Sequence, residues 1–230
     1  GETTGSILYL CYRIENTAAH SQSVVLFAAI RPFQVTPTWQ NWRMFGGVAP
    51  VRTLAYRDGA VMVNGVKAVV PLQPETGFGA AAFAQGSVTD YLSAAKLPPR
   101  TEVSDEFGYG SGALRFDLDL APGEIREVYL AIPFGSSTEV PVPPDAAGSA
   151  QLARALQYWQ SRLSAVDILL PAKAQGIADT FRTAAAHILI NRDGPALHPG
   201  PRRYSRSWIR DGVIMGAALL RLGCTDALRD

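Results

Sequence analysis

Arg203-Tyr204-Ser205-Arg206-Ser207-Trp208-Ile209-Arg210-Asp211-Gly212 brings three arginines, two large aromatics and a carboxylate into the approach to an apolar helix. Sugars are bound by side chains of this kind. Ring faces stack on Trp or Tyr, while vicinal hydroxyls are held by the planar fork of Arg and the paired acceptors of Asp. The helix that follows, residues 213–222, is apolar on nearly every side, so its N-terminus is expected to open into a protein interior or a cavity. Tyr204, Arg206, Trp208, Arg210 and Asp211 are therefore the candidate substrate-binding residues. A structural alternative stands beside this one: a buried Arg210–Asp211 ion pair that ties a loop to a helix start.

Helical periodicity surrounds this stretch. Leu152, Leu156, Trp159, Leu163 and Val166 mark one face of a helix that starts near Ser149, a plausible N-cap residue. A second helix is expected over 174–190, with Ile177, Phe181, Ala184, Ile188 and Leu189 inward and Gln175, Asp179, Arg182 and Thr183 mostly outward. The third is expected to start at Asp211, where a carboxylate meets the partial positive charge of a helix N-terminus. Gly212 and Gly216 on it would allow a close neighbour. Leu222-Gly223 closes it, and 225–228 reads as the cap and first turn of another helix.

Residues 7–134 read differently, as β structure. Residues 7–14 are apolar and aromatic-rich, and 24–30 form a nearly continuous apolar run that suits a buried strand. Short strands over 51–57, 60–63 and 66–70 are punctuated by Arg57-Asp58-Gly59 and Asn64-Gly65. Asn-Gly between apolar residues is a strong hairpin signal, since both residues tolerate positive φ. A further strand is expected over 78–84. In 113–120, Leu114, Phe116, Leu118 and Leu120 alternate with Arg115, Asp117 and Asp119, and Ala121-Pro122-Gly123-Glu124 turns the chain into 125–133. Many short strands separated by turns imply an antiparallel sandwich. A short helix over 89–95 and a solvated acidic loop over 104–112, carrying Asp105 and Glu106, interrupt the pattern. Trp39 and Trp42, with amide neighbours, suit either a sugar-stacking rim or packing between domains.

The composition of 135–149 shifts to Gly, Ser and Pro and reads as a semi-rigid linker. The fold class is thus α+β and multidomain: a β domain over 1–146, with the linker at its end, and a helical region over 150–230. With 21 basic and 20 acidic side chains, the chain lacks the electrostatic footprint of a nucleic-acid or membrane-surface binder. Cys11, Cys224, His20, His187 and His198 are too scattered for a disulfide framework or a metal site, so neither metal nor cofactor is expected. No run reaches the ~18 apolar residues of a membrane helix, and no basic-then-apolar signal region opens the sequence.

The order of β region, linker and helices, together with Trp208-Ile209-Arg210-Asp211-Gly212, resembles carbohydrate-active enzymes that join an N-terminal supersandwich to an (α/α)6 barrel. Glucoamylase-like glycoside hydrolases and their phosphorylase relatives are the nearest comparison. The resemblance implies an antiparallel β-supersandwich followed by the first helices of an (α/α)6 toroid. It makes Arg210 and Asp211 hydroxyl clamps beside the cleaved bond, with Trp208 and Tyr204 as pocket wall. It also implies an oligo- or polysaccharide ligand, and as partner the remainder of the same barrel. The helices present are too few to close a toroid, so the chain is expected to be the front of a longer protein.

The family's catalytic carboxylates come from later helices and loops, so no catalytic residue is assigned. An inverting glycosidase needs an acid and a base about 6.5–9.5 Å apart and a retaining one about 5 Å; no pair here is matched to those roles. Asp211, favoured as an anion by Arg210 and the helix N-terminus, is a poor general acid. The expectation is weak sugar binding without turnover. A rival reading makes the sandwich the working part, as a noncatalytic carbohydrate- or protein-binding module, with residues 204–211 as a latch. A helical transferase or lyase on the same architecture is a third. Compartment is not read from the residues; export is expected only by association with polysaccharide-degrading enzymes.

Overall fold

The computed structural model describes residues 7–36, 47–134, 148–201 and 204–228. Trp39, Trp42, residues 135–147, Arg202 and Arg203 lie outside the described residues. The fold is mixed α+β, and of the described residues 7–35 and 48–152 belong to one compact unit, while Thr36, Gly47 and 153–228 belong to a second.

In the first unit, β1 (Ile7–Glu15), β5 (Thr53–Arg57), β6 (Ala60–Val63), β7 (Lys67–Pro71), β9 (Glu102–Ser104) and β11 (Ile125–Pro133) form a six-stranded sheet in the order β1-β11-β7-β6-β5-β9. A three-stranded sheet holds β2 (Gln22–Ile30), β10 (Ser111–Leu120) and β8 (Gly77–Ala81), in the order β2-β10-β8. The strand pairs within both sheets are antiparallel. A small pair joins β3 (Phe33–Thr36) and β4 (Gly47–Ala49).

Period-2 patterning places the core between the sheets. Leu54, Val61, Val69, Val103, Val128 and Leu130 come from the larger sheet, and Ala28, Phe78, Ala80, Leu114 and Phe116 from the smaller, in one buried cluster. Shared burial of this kind is what defines a sandwich. Turn chemistry follows the sequence: Asn64 and Gly65 take φ 55° and 68°, and Asp58 and Gly59 take φ 51° and 76°. These are the paired left-handed residues of tight hairpins.

Asn16 secures two of the places where the chain passes from one sheet to the other. Its Nδ2 donates to the carbonyls of His20 at 2.9 Å and Leu120 at 3.0 Å, and its Oδ1 accepts from the Ala18 N–H at 3.0 Å. One buried carboxamide thus fixes both the β1–β2 and the β10–β11 connections.

Two expectations for this unit are corrected. The run 24–30 is not a fully buried strand: β2 is an edge strand with Val24, Leu26 and Ile30 half-buried and Val25 and Ala29 exposed. An edge strand of a sandwich has one face on the core and one in solvent, however apolar its sequence. Residues 104–112 are not simply a solvated acidic loop. Asp105 is buried, and its carboxylate accepts N–H groups from Phe83 at 2.6 Å and Tyr109 at 3.0 Å. Gly108 makes the loop possible: its φ is +77°, and a Cβ there would stand 2.7 Å from Pro50 Cβ. The short helix α1 (Val88–Ser93) is present, capped by Ser87.

The helical region contains α2 (Gly148–Leu163), α3 (Gln175–Ile190) and α4 (Ile209–Arg221). Ser149 lies within α2 instead of capping it. The core of the second unit gathers Ala185, Leu197, Leu219, Cys224 and Ala227, with Leu163, Ile188, Leu189, Met215, Leu222 and Leu228 packed around them. In α3 the buried residues are Ala178 and Ala185, while Ile177 and Phe181, expected inward, are 55% and 54% exposed. Small side chains let a neighbouring segment approach the α3 backbone; Ile188 and Leu189 pack against the core as expected, whereas Ile177 and Phe181 do not. Among the described residues, no helix is long and apolar enough to cross a membrane.

Candidate functional site

Helix α4 begins two residues earlier than expected, at Ile209, and Trp208 occupies the N-cap position with extended φ −123° and ψ 133°. Its first turn closes when the Gly212 N–H donates to the Trp208 carbonyl at 2.8 Å. Asp211 therefore sits inside the first turn, near the exposed N–H groups and the positive end of the helix. At the other end, Gly223 takes φ 72° and the Cys224 N–H returns to the Leu219 carbonyl at 2.9 Å. Burial pushes the Cys224 thiol up, against the opposing influence of Arg162.

The segment leading into α4 is braced locally. The Arg206 N–H donates to the Tyr204 carbonyl at 2.8 Å, and the Ser207 hydroxyl donates to the Leu197 carbonyl at 3.2 Å. The Arg206 guanidinium carbon lies 3.7 Å from the centroid of the Trp208 ring, a close cation–π contact. One face of the indole is thus taken by an arginine of the same segment.

Arg210 and Asp211 are not a buried ion pair. Arg210 Nη2 stands 3.6 Å from Asp211 Oδ2, with side chains 85% and 29% exposed. A long, solvated pair of this kind contributes little to stability, and it leaves the guanidinium donors available. Tyr204 is exposed at the same approach.

An open cleft of about 400 Å³ is lined by Pro195, Leu197, Ser207, Trp208, Ile209, Gly212 and Val213. Of the five residues singled out by sequence, only Trp208 lines it; Tyr204, Arg206, Arg210 and Asp211 do not. Pro195, Leu197 and Ser207 were not foreseen there. Pro195 and Leu197 belong to the Gly/Pro-rich stretch 194–201, and the Ser207–Leu197 hydrogen bond ties that stretch to the segment leading into α4. Space beside Gly212 is open, while Gly216 is buried with Leu228 Cδ2 3.6 Å from where a Cβ would sit. The helix N-terminus thus meets an open cleft and not an enclosed interior, and Ile209, Val213 and Ile214 are exposed on it. The rim candidates Trp39 and Trp42 lie outside the described residues.

Among the described residues, no group of three or more His, Cys, Asp or Glu side chains is arranged to hold a metal ion. The segment offers an indole, a phenol, an exposed guanidinium and a carboxylate around one helix start. These are groups that bind and orient a polyhydroxylated ligand. No protein-family model matches the chain, and no curated protein matches it significantly.

Proposed function

We propose that this chain is the N-terminal portion of a carbohydrate-active enzyme, a glycoside hydrolase or a glycoside phosphorylase, in which the start of α4 contributes sugar binding. The observation that carries this reading is the Trp208–Asp211 turn: an indole at the cleft, then a solvent-accessible guanidinium and a carboxylate on the first turn of an apolar helix. Arg210 would donate its fork to vicinal hydroxyls, Asp211 would accept from them, and Trp208 would supply a stacking edge. Tyr204 and Arg206 would line the approach.

The exposed apolar residues of α3 and α4, among them Ile177, Phe181, Ile209, Val213 and Ile214, support a larger helical assembly around them, as an (α/α)6 toroid requires. In this reading the supersandwich is chiefly a structural partner, and the catalytic acid and base come from later helices of the barrel. The 230-residue chain then binds sugar weakly and turns none over. Incubation with maltose-like and aryl-glycoside substrates tests this. The expected result is no product above the buffer rate; hydrolysis that survives repurification and disappears in Arg210→Ala would place the chemistry in this chain and overturn the assignment of its acid and base elsewhere.

A further inference from the structure

We propose that the free edge of β2 is a self-association surface, through which two copies of the chain pair antiparallel across a two-fold axis and join their smaller sheets into one. Among the described residues the β2 backbone pairs with β10 alone. Alternate N–H and C=O groups along Gln22–Ile30 therefore point away from the sheet. The other edges of the two sheets are blunted. β9 is three residues long, and β1 carries Arg13 and Glu15. Beyond β8, the Ala80 N–H donates to the Arg100 carbonyl at 2.7 Å, and a Cβ on Gly79 would collide with the Pro98 carbonyl. β2 has none of these devices: its nine residues include no charge and no proline.

The sandwich is also open beside this edge. Leu8 and Tyr12 of β1 stand opposite Ile132 and Val128 of β11, which pack in the core, so all four share the core-facing side. Leu8 and Tyr12 are nonetheless 41% and 38% exposed. On β2, which follows β1 through the short turn held by Asn16, the core-facing residues Val24, Leu26 and Ile30 are only half-buried. Leu114 and Phe116 on neighbouring β10 are fully buried. With three strands facing six, the smaller sheet is short of a strand here. A second β2 fits the gap. Antiparallel pairing centred on Leu26 sets Val24 against Ala28, Val25 against Phe27 and Ser23 against Ala29 of the second copy, core face with core face and no like charges opposed. The added strand extends the smaller sheet over Leu8 and Tyr12. These few side chains fall short of the about 800 Å² per partner of a standard interface, so the dimer is weak, with a Kd on the order of 10 µM. The inference stands on the sandwich unit alone and does not use the carbohydrate reading.

Sedimentation equilibrium of the 230-residue chain tests it. The wild type is expected to show a reversible monomer–dimer equilibrium, and hydrogen exchange should show amide protection over Gln22–Ile30 that rises with protein concentration. Val25→Lys brings two ammonium groups close to the two-fold axis from an exposed position. It should weaken dimerisation about tenfold with an unchanged thermal midpoint, while Phe181→Lys on α3 leaves the equilibrium intact. A chain that stays monomeric far above the expected Kd, or a dimer that Val25→Lys does not weaken, overturns the proposal. A dimer lost in Phe181→Lys and kept in Val25→Lys places the association on the helices and overturns it too. Open-ended growth into fibres instead of a closed dimer would contradict the two-fold pairing.

Discussion

The Arg206 guanidinium carbon stands over the Trp208 ring, 3.7 Å from its centroid. A ligand at the α4 start therefore meets an indole with one face already filled by a cation, and has the opposite face and the edge to use. The contact is worth about 0.5–1 kcal/mol at an exposed site, too little to hold the fold together and enough to fix the ring. Arg206→Ala should leave the unfolding midpoint nearly unchanged and make Trp208 more accessible. Acrylamide quenching of indole fluorescence reads this, with the increase expected in the wild-type background and absent when the same change is made in Trp208→Phe.

Asn16 joins two sheet-to-sheet crossovers through one side chain, so its loss should be felt globally. Asn16→Ala leaves the carbonyl of Leu120 without its buried donor and the Ala18 N–H without its acceptor. A cost of about 2 kcal/mol or more is expected. Urea denaturation checks it: the midpoint should fall with an unchanged slope.

Asp105 gives the stability of the sandwich unit a direction in pH. The Tyr109 N–H above all, with those of Phe83, Phe107 and Gly108, holds the Asp105 carboxyl below its usual range despite burial. A carboxylate with a lowered folded-state pKa stabilises fully above the unfolded value of about 3.9, and that contribution is lost as pH falls through the folded value. Asp105→Asn cannot accept both N–H groups, since one amide position is a donor. It should cost about 2 kcal/mol at neutral pH. Urea midpoints of wild type and variant should converge as pH drops below about 4; a gap that stays constant would show that ionisation is not the source.

The cysteines should differ in reactivity. Cys11 is exposed on β1, whereas Cys224 is buried in the core of the second unit, with its thiol pushed up by desolvation. A colourimetric thiol titration of the native chain should register Cys11 promptly and Cys224 only on denaturation. The prompt phase should vanish in Cys11→Ser.

Much of the sandwich was legible in the sequence because its signals are local. Asn64-Gly65 needs only its own φ angles to make a hairpin, and Leu114, Phe116 and Leu120 declare their face by alternation within one strand. What escaped depends on partners distant along the chain. Asp105 read as a solvated loop residue because the Phe83 N–H that helps to bury it comes from another loop. The run 24–30 read as buried because strand position in a sheet is not written in a strand's own composition. On α3, the large residues Ile177 and Phe181 drew the inward assignment, while the tertiary contact selected Ala178 and Ala185, whose small size permits close approach. At the candidate site, residue types were legible but geometry was not. The Arg206–Trp208 stack and the open Arg210–Asp211 pair depend on how a non-helical segment turns into α4.

The sugar-binding role of the α4 start is tested by calorimetric titration of the wild-type chain and Arg210→Lys with maltooligosaccharides. An ammonium does not replace a bidentate fork, so the wild type should show weak but saturable binding that Arg210→Lys weakens about tenfold, with the fold intact by thermal melting. Equal affinity in the two proteins, or no saturable binding by the wild type, would contradict the assignment of Arg210 and Asp211 as hydroxyl clamps.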